Sequence, residues 1–249
     1  MKETREAYKE KQSHVLIVVP AYNEAKTIAA IIAGLREHTS TFDRIFIDDG
    51  SSDKTAAILR EHDETVLSLP CNLGYGRALQ TGMLYGLNHG YEIFVFFDAD
   101  GQHIPTDIPV LVSQLQNSDA DMIIGSRFVV KTGYTCSRER RIGMIVFSFL
   151  VKIITGQRIY DSTSGFKVMR ARVAKLLAEG VFSDFTAESL INLLFRGIKI
   201  HEYPITVKER LYGESMHSLS SIVTYPLKTL FLILVGIIDV YFNKYEDKP

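Results

Sequence analysis

Between residues 15 and 126, apolar runs of strand length alternate with stretches of helix length, and this alternation limits the chain more than any other feature. VLIVVP (Val15 to Pro20), RIFIDDG (Arg44 to Gly50), TVLSLP (Thr65 to Pro70), EIFVFFDAD (Glu92 to Asp100) and DMIIGS (Asp121 to Ser126) read as strands. Helices are expected between them at Glu24 to Arg36, Asp53 to His62, Gly74 to Asn88 and Pro105 to Gln116. Strands joined through helices of this length make right-handed crossovers and a mostly parallel sheet, so the fold class is α/β. Ligands of such sheets bind beyond the carboxyl ends of the strands.

The residues at those ends are polar or small. Pro20, Ala21, Tyr22, Asn23 and Glu24 follow the first strand, Asp48, Asp49, Gly50 and Ser51 the second, and Asp98, Ala99, Asp100, Gly101 and Gln102 the fourth. Carboxylates gathered on one sheet edge imply a cation or a hydroxyl-rich ligand there. A general nucleic-acid binder is excluded by charge, because 28 Lys and Arg are balanced by 29 Asp and Glu. The hydrophobic share of 46% excludes disorder. Cys71 and Cys136 are too few for a disulfide framework or a cysteine zinc site.

The most informative motif is FFDADGQH, Phe96 to His103. Side chains two apart on an extended segment share a side, so Asp98 and Asp100 can face one ligand while Ala99 faces away. Hard oxygen donors that leave most coordination positions open suit Mg2+ or Mn2+ held jointly with a diphosphate, and the ion would neutralise a departing nucleoside diphosphate. Gln102 can add a ligand or a contact to metal-bound water, and His103 is a weaker candidate. Asp-x-Asp alone is also a common loop cap.

Tyr22 with Asp48 and Asp49 can stack a base and accept hydrogen bonds from its imide or from ribose, while Asn23 and Glu24 also suit a helix cap. Gly74, Gly76 and Gly82 have the wrong spacing for a dinucleotide fingerprint, which disfavours a Rossmann dehydrogenase. Gly74 instead allows close approach before a helix whose amino end, with Arg77, would face phosphate or sugar.

Together VVPAYNEAKTI, IDDGSSDKT, NLGYGRALQTGM, FFDADGQHIP, IGSRF, DSTSGFKVMR and ERLYGES resemble glycosyltransferase family 2, particularly its dolichol- and polyprenyl-phosphate sugar synthases. The resemblance runs from about Val15 to Ser218. It implies a GT-A fold, a nucleoside diphosphate sugar (UDP or GDP) as donor, Mg2+ or Mn2+, and inversion at the anomeric carbon. It also implies that Pro20, Tyr22, Glu24 and Asp49 hold the nucleoside, and that Asp98, Asp100 and Gln102 meet the metal and diphosphate; Asp48, Gly74, Arg77 and Ala99 complete the expected cofactor site. The arginines matching the family's grip on a polyprenyl phosphate are Arg127, Arg140 or Arg141, and Arg210. Guanidinium groups recognise phosphate in bidentate fashion. Met216 stands where a lysine commonly follows GES, and no clear serine follows the arginines at the matching place.

A phosphate acceptor is already largely dianionic at neutral pH and attacks without a strong base. A saccharide or cell-envelope hydroxyl would need one, and Glu188 is the candidate by analogy with the wider family. Asp161 is expected to hold the loop beside the acceptor site, with Ser164 and Gly165 shaping the turn. A non-catalytic nucleotide-sugar binder is the remaining alternative, and Asp98 and Asp100 weigh against it.

The expected organisation is a charged segment over 1–13, a transferase domain over 14–217 and an apolar helix with a polar tail over 218–249. The start has no apolar stretch of the kind a secretory signal needs, so a position at the cytoplasmic face of the membrane is expected. IGMIVFSFLVKII, Ile142 to Ile154, follows the basic cluster Arg138 to Arg141 as a helix lying on an anionic surface would. Within residues 222–242 the uninterrupted apolar core, Thr229 to Ile238, would be only about 15 Å long against roughly 30 Å of bilayer hydrocarbon. It must be covered by lipid or protein, a second copy of the chain included.

Overall fold

The computed structural model describes residues 13–130, 138–180 and 187–208. Its strands are β1 (Val15–Ala21), β2 (Asp43–Asp48), β3 (Val66–Ser68), β4 (Ile93–Phe96), β5 (Met122–Ser126), β6 (Lys167–Arg170) and β7 (Ile200–Pro204). Its helices are α1 (Ile28–His38), α2 (Thr55–Glu61), α3 (Tyr75–Asn88), α4 (Asp107–Gln116), α5 (Arg138–Thr155), α6 (Ala171–Glu179) and α7 (Ala187–Phe195). The strands form one sheet in the order β3-β2-β1-β4-β6-β5-β7.

β1 pairs in parallel with β2 and β4, β2 with β3, and β5 with β7. β6 runs antiparallel between β4 and β5. The mostly parallel α/β sheet is therefore present, with one reversed strand inserted in it. Because β2, β1 and β4 are adjacent and parallel, their carboxyl ends lie on one edge, as expected for a ligand site.

β1 is buried along its whole length because both faces are covered. Leu16 and Val18 point into a core shared with α3, α6 and α7, whereas Ile17, Val19 and Ala21 point into a second core shared with α1 and α4. The period of two in the strand thus feeds two separate apolar layers. Gly82 lets α3 lie close against the sheet, since a Cβ there would stand 2.2 Å from Val18 Cγ1. The glycines of NLGYGRALQTGM therefore serve helix–sheet contact as well as the turn before the helix.

Several boundaries differ from the sequence reading. The first helix starts at Ile28 rather than Glu24, because Asn23 adopts a left-handed φ of 56° and residues 24–27 form a turn. The fourth strand ends at Phe96, so Asp98 to Asp100 lie on a turn and not on an extended segment. β6 and β7 have no counterpart among the expected strands.

α5 covers the apolar stretch expected at Ile142 to Ile154 and packs against α7. Ile145, Phe149 and Ile153, spaced four apart, are exposed on one face, while Ser148 and Val151 are buried. The expected helix over 222–242 and the charged segment 1–12 lie outside the described residues. Among the described residues no helix is long and apolar enough to cross a membrane.

Candidate functional site

The β1 and β2 side of the edge, where the sequence reading expects the nucleoside, is built on backbone amides. Asp49, 3% exposed, accepts hydrogen bonds from Leu73 N (2.8 Å) and Gly74 N (2.9 Å), so the end of β2 holds the segment that opens α3. Asp48 accepts one from Ser51 N at 3.1 Å. Asn23 Oδ1 accepts from Ser52 N and Asp53 N, fixing the β1 end against the β2 end. Glu24 accepts from the Thr27 hydroxyl at 2.7 Å. Tyr22 is exposed just beyond β1, and Pro20 is buried within it opposite Ile47. Gly74, with φ of 96°, takes a conformation that side chains rarely adopt. These bonds join Asp49 to Gly74 and the β1 end to the β2 end, with Tyr22 exposed beyond β1. Arg77 does not join them: exposed on the first turn of α3, it hydrogen-bonds Gln80 at 2.6 Å.

The turn after β4 presents the two acids of the Asp-x-Asp motif. Asp100 Oδ1 accepts from Gln102 N at 3.0 Å, and Ala99 is buried in the core cluster against β1 and α4. Ala99 therefore faces the core, though on a turn and not by the alternation of an extended segment, and any part it plays at a ligand site belongs to its backbone. Asp98 Oδ1 accepts from the Tyr75 hydroxyl at 2.9 Å. Asp98 Oδ2 stands 3.7 Å from His103 Nε2. His103 packs beside Phe166, and burial holds its pKa down at about 4 even though the Asp100 charge pulls the other way. A neutral imidazole leaves the negative charge of the turn in place.

Gly165 closes the site from the reversed strand's side. A Cβ there would fall 2.2 Å from Asp98 Oδ2 and 3.0 Å from the Tyr75 hydroxyl, so the carboxylate occupies the space a side chain would fill. Asp98, lodged against Gly165, and Asp100 supply hard oxygen donors that fit Mg2+ or Mn2+. Among the described residues no group of three or more His, Cys, Asp or Glu could hold a metal. Two acids and Gln102 leave coordination positions for water or phosphate oxygens.

Arg127, expected to grip an acceptor phosphate, lies in an ion pair. Its guanidinium is buried and bound in bidentate fashion by Asp161, with Nε–Oδ2 at 2.7 Å and Nη2–Oδ1 at 2.6 Å, and it also donates to Thr163 Oγ1. A guanidinium held in this way ties the 161–165 loop to the end of β5. Asp161 does hold the loop beside the site, as expected. Glu202 on β7 accepts from Tyr160 N and Asp161 N, and burial pushes its pKa up. Glu188, at the start of α7, is 4% exposed, so it is no solvated helix-end carboxylate. Arg140 and Arg141 fall in the first turn of α5 with side chains outside the described residues, as are Arg210 and Met216 altogether.

Sequence reasoning missed Tyr75, Lys167 and Glu202. Lys167 opens β6, is 3% exposed, and donates from Nζ to the Ser164 carbonyl. Burial lowers its pKa to about 8, against the opposing pull of Asp98, Asp161 and Glu188. The signal for Tyr75 was its place between Gly74 and Gly76, where only the glycines drew notice.

Comparison with known proteins adds a second line. Residues 16–177 match the family model described as Glycosyl transferase family 2. An undecaprenyl-phosphate mannosyltransferase of Micrococcus luteus is 31% identical over 218 residues, covering 82% of this chain and 87% of its own. A UDP-N-acetylglucosamine–dolichyl-phosphate N-acetylglucosaminyltransferase of Methanococcus voltae is 29% identical over 213 residues, covering 77% and 84%. Among solved structures, glucosyl-3-phosphoglycerate synthase from Mycobacterium tuberculosis, in complex with Mn2+ and uridine-diphosphate-glucose, shares the fold. Its TM-score is 0.66 at 20% identity over 92% of this chain and 82% of that one.

Proposed function

The chain belongs to glycosyl transferase family 2, and on that premise we propose that it moves a sugar from a nucleoside diphosphate sugar to a polyprenyl phosphate, undecaprenyl or dolichyl, at the cytoplasmic membrane face. The observation that carries the donor half is the convergence of Asp49, Asp98 and Asp100 at the carboxyl edge of β2, β1 and β4. The acceptor rests on the relatives, whose names specify undecaprenyl phosphate and dolichyl phosphate. Those relatives carry mannose and N-acetylglucosamine respectively, so the sugar and the base, uracil or guanine, are left open.

In this reading Tyr22 stacks the base, and Asp48, Asp49 and Glu24, with the Pro20 and Gly74 backbone, frame the nucleoside. Asp98, Asp100 and Gln102 hold Mg2+ or Mn2+ with the diphosphate, as the solved relative's Mn2+ and uridine-diphosphate-glucose suggest. Bound there, the metal supplies positive charge to the departing diphosphate. An acceptor phosphate oxygen forms the new bond to C1 as the bond from C1 to the donor diphosphate breaks, with inversion, yielding a sugar phosphodiester and free nucleoside diphosphate. The phosphate brings its own negative charge, so no side chain has to remove a proton. Arg141 and Arg210 grip that phosphate, and Arg127 acts through Asp161 by holding the loop. Glu188 stays beside Lys167 as a carboxylate bordering the acceptor side.

The isoprenoid chain has a candidate place. A groove of about 380 Å3 is lined by Phe128, Ile145, Phe149 and Tyr160, with Lys152 and Arg158 at hand for anionic groups. The exposed stripe of Ile145, Phe149 and Ile153 would lie against the bilayer. Oligomerisation through residues 222–242 belongs to the same proposal.

The test is transfer from a panel of radiolabelled UDP- and GDP-sugars to undecaprenyl phosphate in detergent with Mn2+, scored by label extracted into organic solvent. Label that needs both the metal and the acceptor phosphate supports the reading. Donor turnover without lipid label, restored by a saccharide hydroxyl, would overturn the acceptor and make Glu188 the base to test.

A further inference from the structure

The short segment Leu73–Gly74–Tyr75 touches both acidic centres of the donor edge. Its two amides hold Asp49, and its next side chain donates to Asp98 Oδ1. Behind Asp98, Gly165 provides the space the carboxylate occupies, because a Cβ there would fall 2.2 Å from Oδ2 and 3.0 Å from the Tyr75 hydroxyl. Lys167 in turn pins the Ser164 carbonyl next to that glycine. Asp98 is thus held by a phenol at one oxygen, while the other lies in the space that Gly165 leaves open, 3.7 Å from His103 Nε2.

Resting on the metal reading above, we propose that Tyr75 is a positioning residue for the divalent cation, fixing the Asp98 carboxylate in the orientation that receives it. An unrestrained aspartate would lose side-chain freedom on binding the ion; here that freedom is already spent in the fold. Hydrogen bonds to ligating carboxylates commonly govern metal affinity by ten- to a hundredfold. The hydroxyl donates to Asp98 Oδ1 at 2.9 Å, which leaves the other oxygen's lone pairs to the ion. A phenol also brings no charge to repel the cation. Tyr75 sits on the first turn of α3, a helix pressed to the sheet, so its position follows the rigid scaffold.

The test is a titration of Mn2+ into the full chain with UDP or GDP present, followed by the loss of the free-ion electron paramagnetic resonance signal, alongside thermal melting. Tyr75→Phe keeps the ring and removes one oxygen. Its Mn2+ dissociation constant should rise about tenfold with the melting temperature of the metal-free protein nearly unchanged. In sugar transfer the Mn2+ concentration for half-maximal rate should rise likewise, while the rate at saturating Mn2+ changes less. Gly165→Ala, which crowds the same carboxylate, should weaken Mn2+ in the same direction, and if it does not fold Tyr75→Phe carries the test alone. Asp98→Ala separates the two readings. Binding abolished by Asp98→Ala but within twofold of wild type in Tyr75→Phe would overturn the role of Tyr75 and keep the metal site. Mn2+ binding unaffected by Asp98→Ala would overturn both.

Discussion

The two halves of the sheet edge hold their acids by different means. At the ends of β1 and β2, Asp48 and Asp49 are fixed by backbone amides of Ser51, Leu73 and Gly74. At the ends of β5 and β6, Asp161 is fixed by the Arg127 guanidinium, and Lys167 lies among Asp98, Asp161 and Glu188. Amides stabilise a carboxylate without cancelling its charge, so the first half keeps negative charge for a ligand. A buried guanidinium cancels it, so the second half is internally neutralised and behaves as scaffold. Charge type alone suggests a ligand contact for Arg127; its ion pair with Asp161 gives it a part in the framework.

The largest expected effect lies on the ligand-facing side. Asp100→Ala should lower sugar transfer by about a hundred- to a thousandfold while leaving the circular dichroism spectrum and melting temperature close to wild type. A variant that retained turnover would break the distinction by showing that this acid is structural.

On the scaffold side the order reverses, with stability suffering first. Asp161→Ala strands a buried guanidinium and should cost about 3–5 kcal/mol in urea unfolding. A cost near zero would mean that Arg127 finds another partner and is available to ligands after all.

Asp49→Asn sharpens the contrast. It keeps one acceptor for the Leu73 and Gly74 amides but loses the charge, and should destabilise the fold by about 1–2 kcal/mol. Calorimetry with UDP or GDP should show weaker nucleoside binding, and unchanged affinity would assign Asp49 to the scaffold.

The smallest effect is a pH dependence. Lys167 loses its proton at about 8 in the folded chain, against 10.5 when exposed. Between those values the unfolded chain binds the proton that the folded chain has released, so stability from this group rises with pH across the window. From about pH 7.5 to about 9.5 the wild type should gain about 1–2 kcal/mol relative to Lys167→Met in urea midpoints. Parallel curves for the two proteins would show that the ammonium is not buried as described.

β1, β2, β4 and β5 were legible because buried strands read as continuous apolar runs broken by polar ends, and the half-buried edge strand β3 by its short apolar run before Pro70. β6 was not legible: Lys167 to Arg170 is four residues with a charge at each end, and its burial comes from insertion between β4 and β5. No local periodicity reports that neighbourhood. The same limit applies to the site. Asp49, Asp98 and Asp100 stand at strand ends and could be found from spacing. Arg127 pairs with an acid 34 residues away and Tyr75 with one 23 residues away, contacts that only the sheet order creates.

The most direct measurement is a crystal of the protein grown with Mn2+ and UDP or GDP, with anomalous scattering used to locate the manganese. The account predicts a peak against Asp98 and Asp100, with the base beside Tyr22 and Asp49. Nucleotide bound at that edge with manganese located instead beside Glu188 and Glu202 would contradict it.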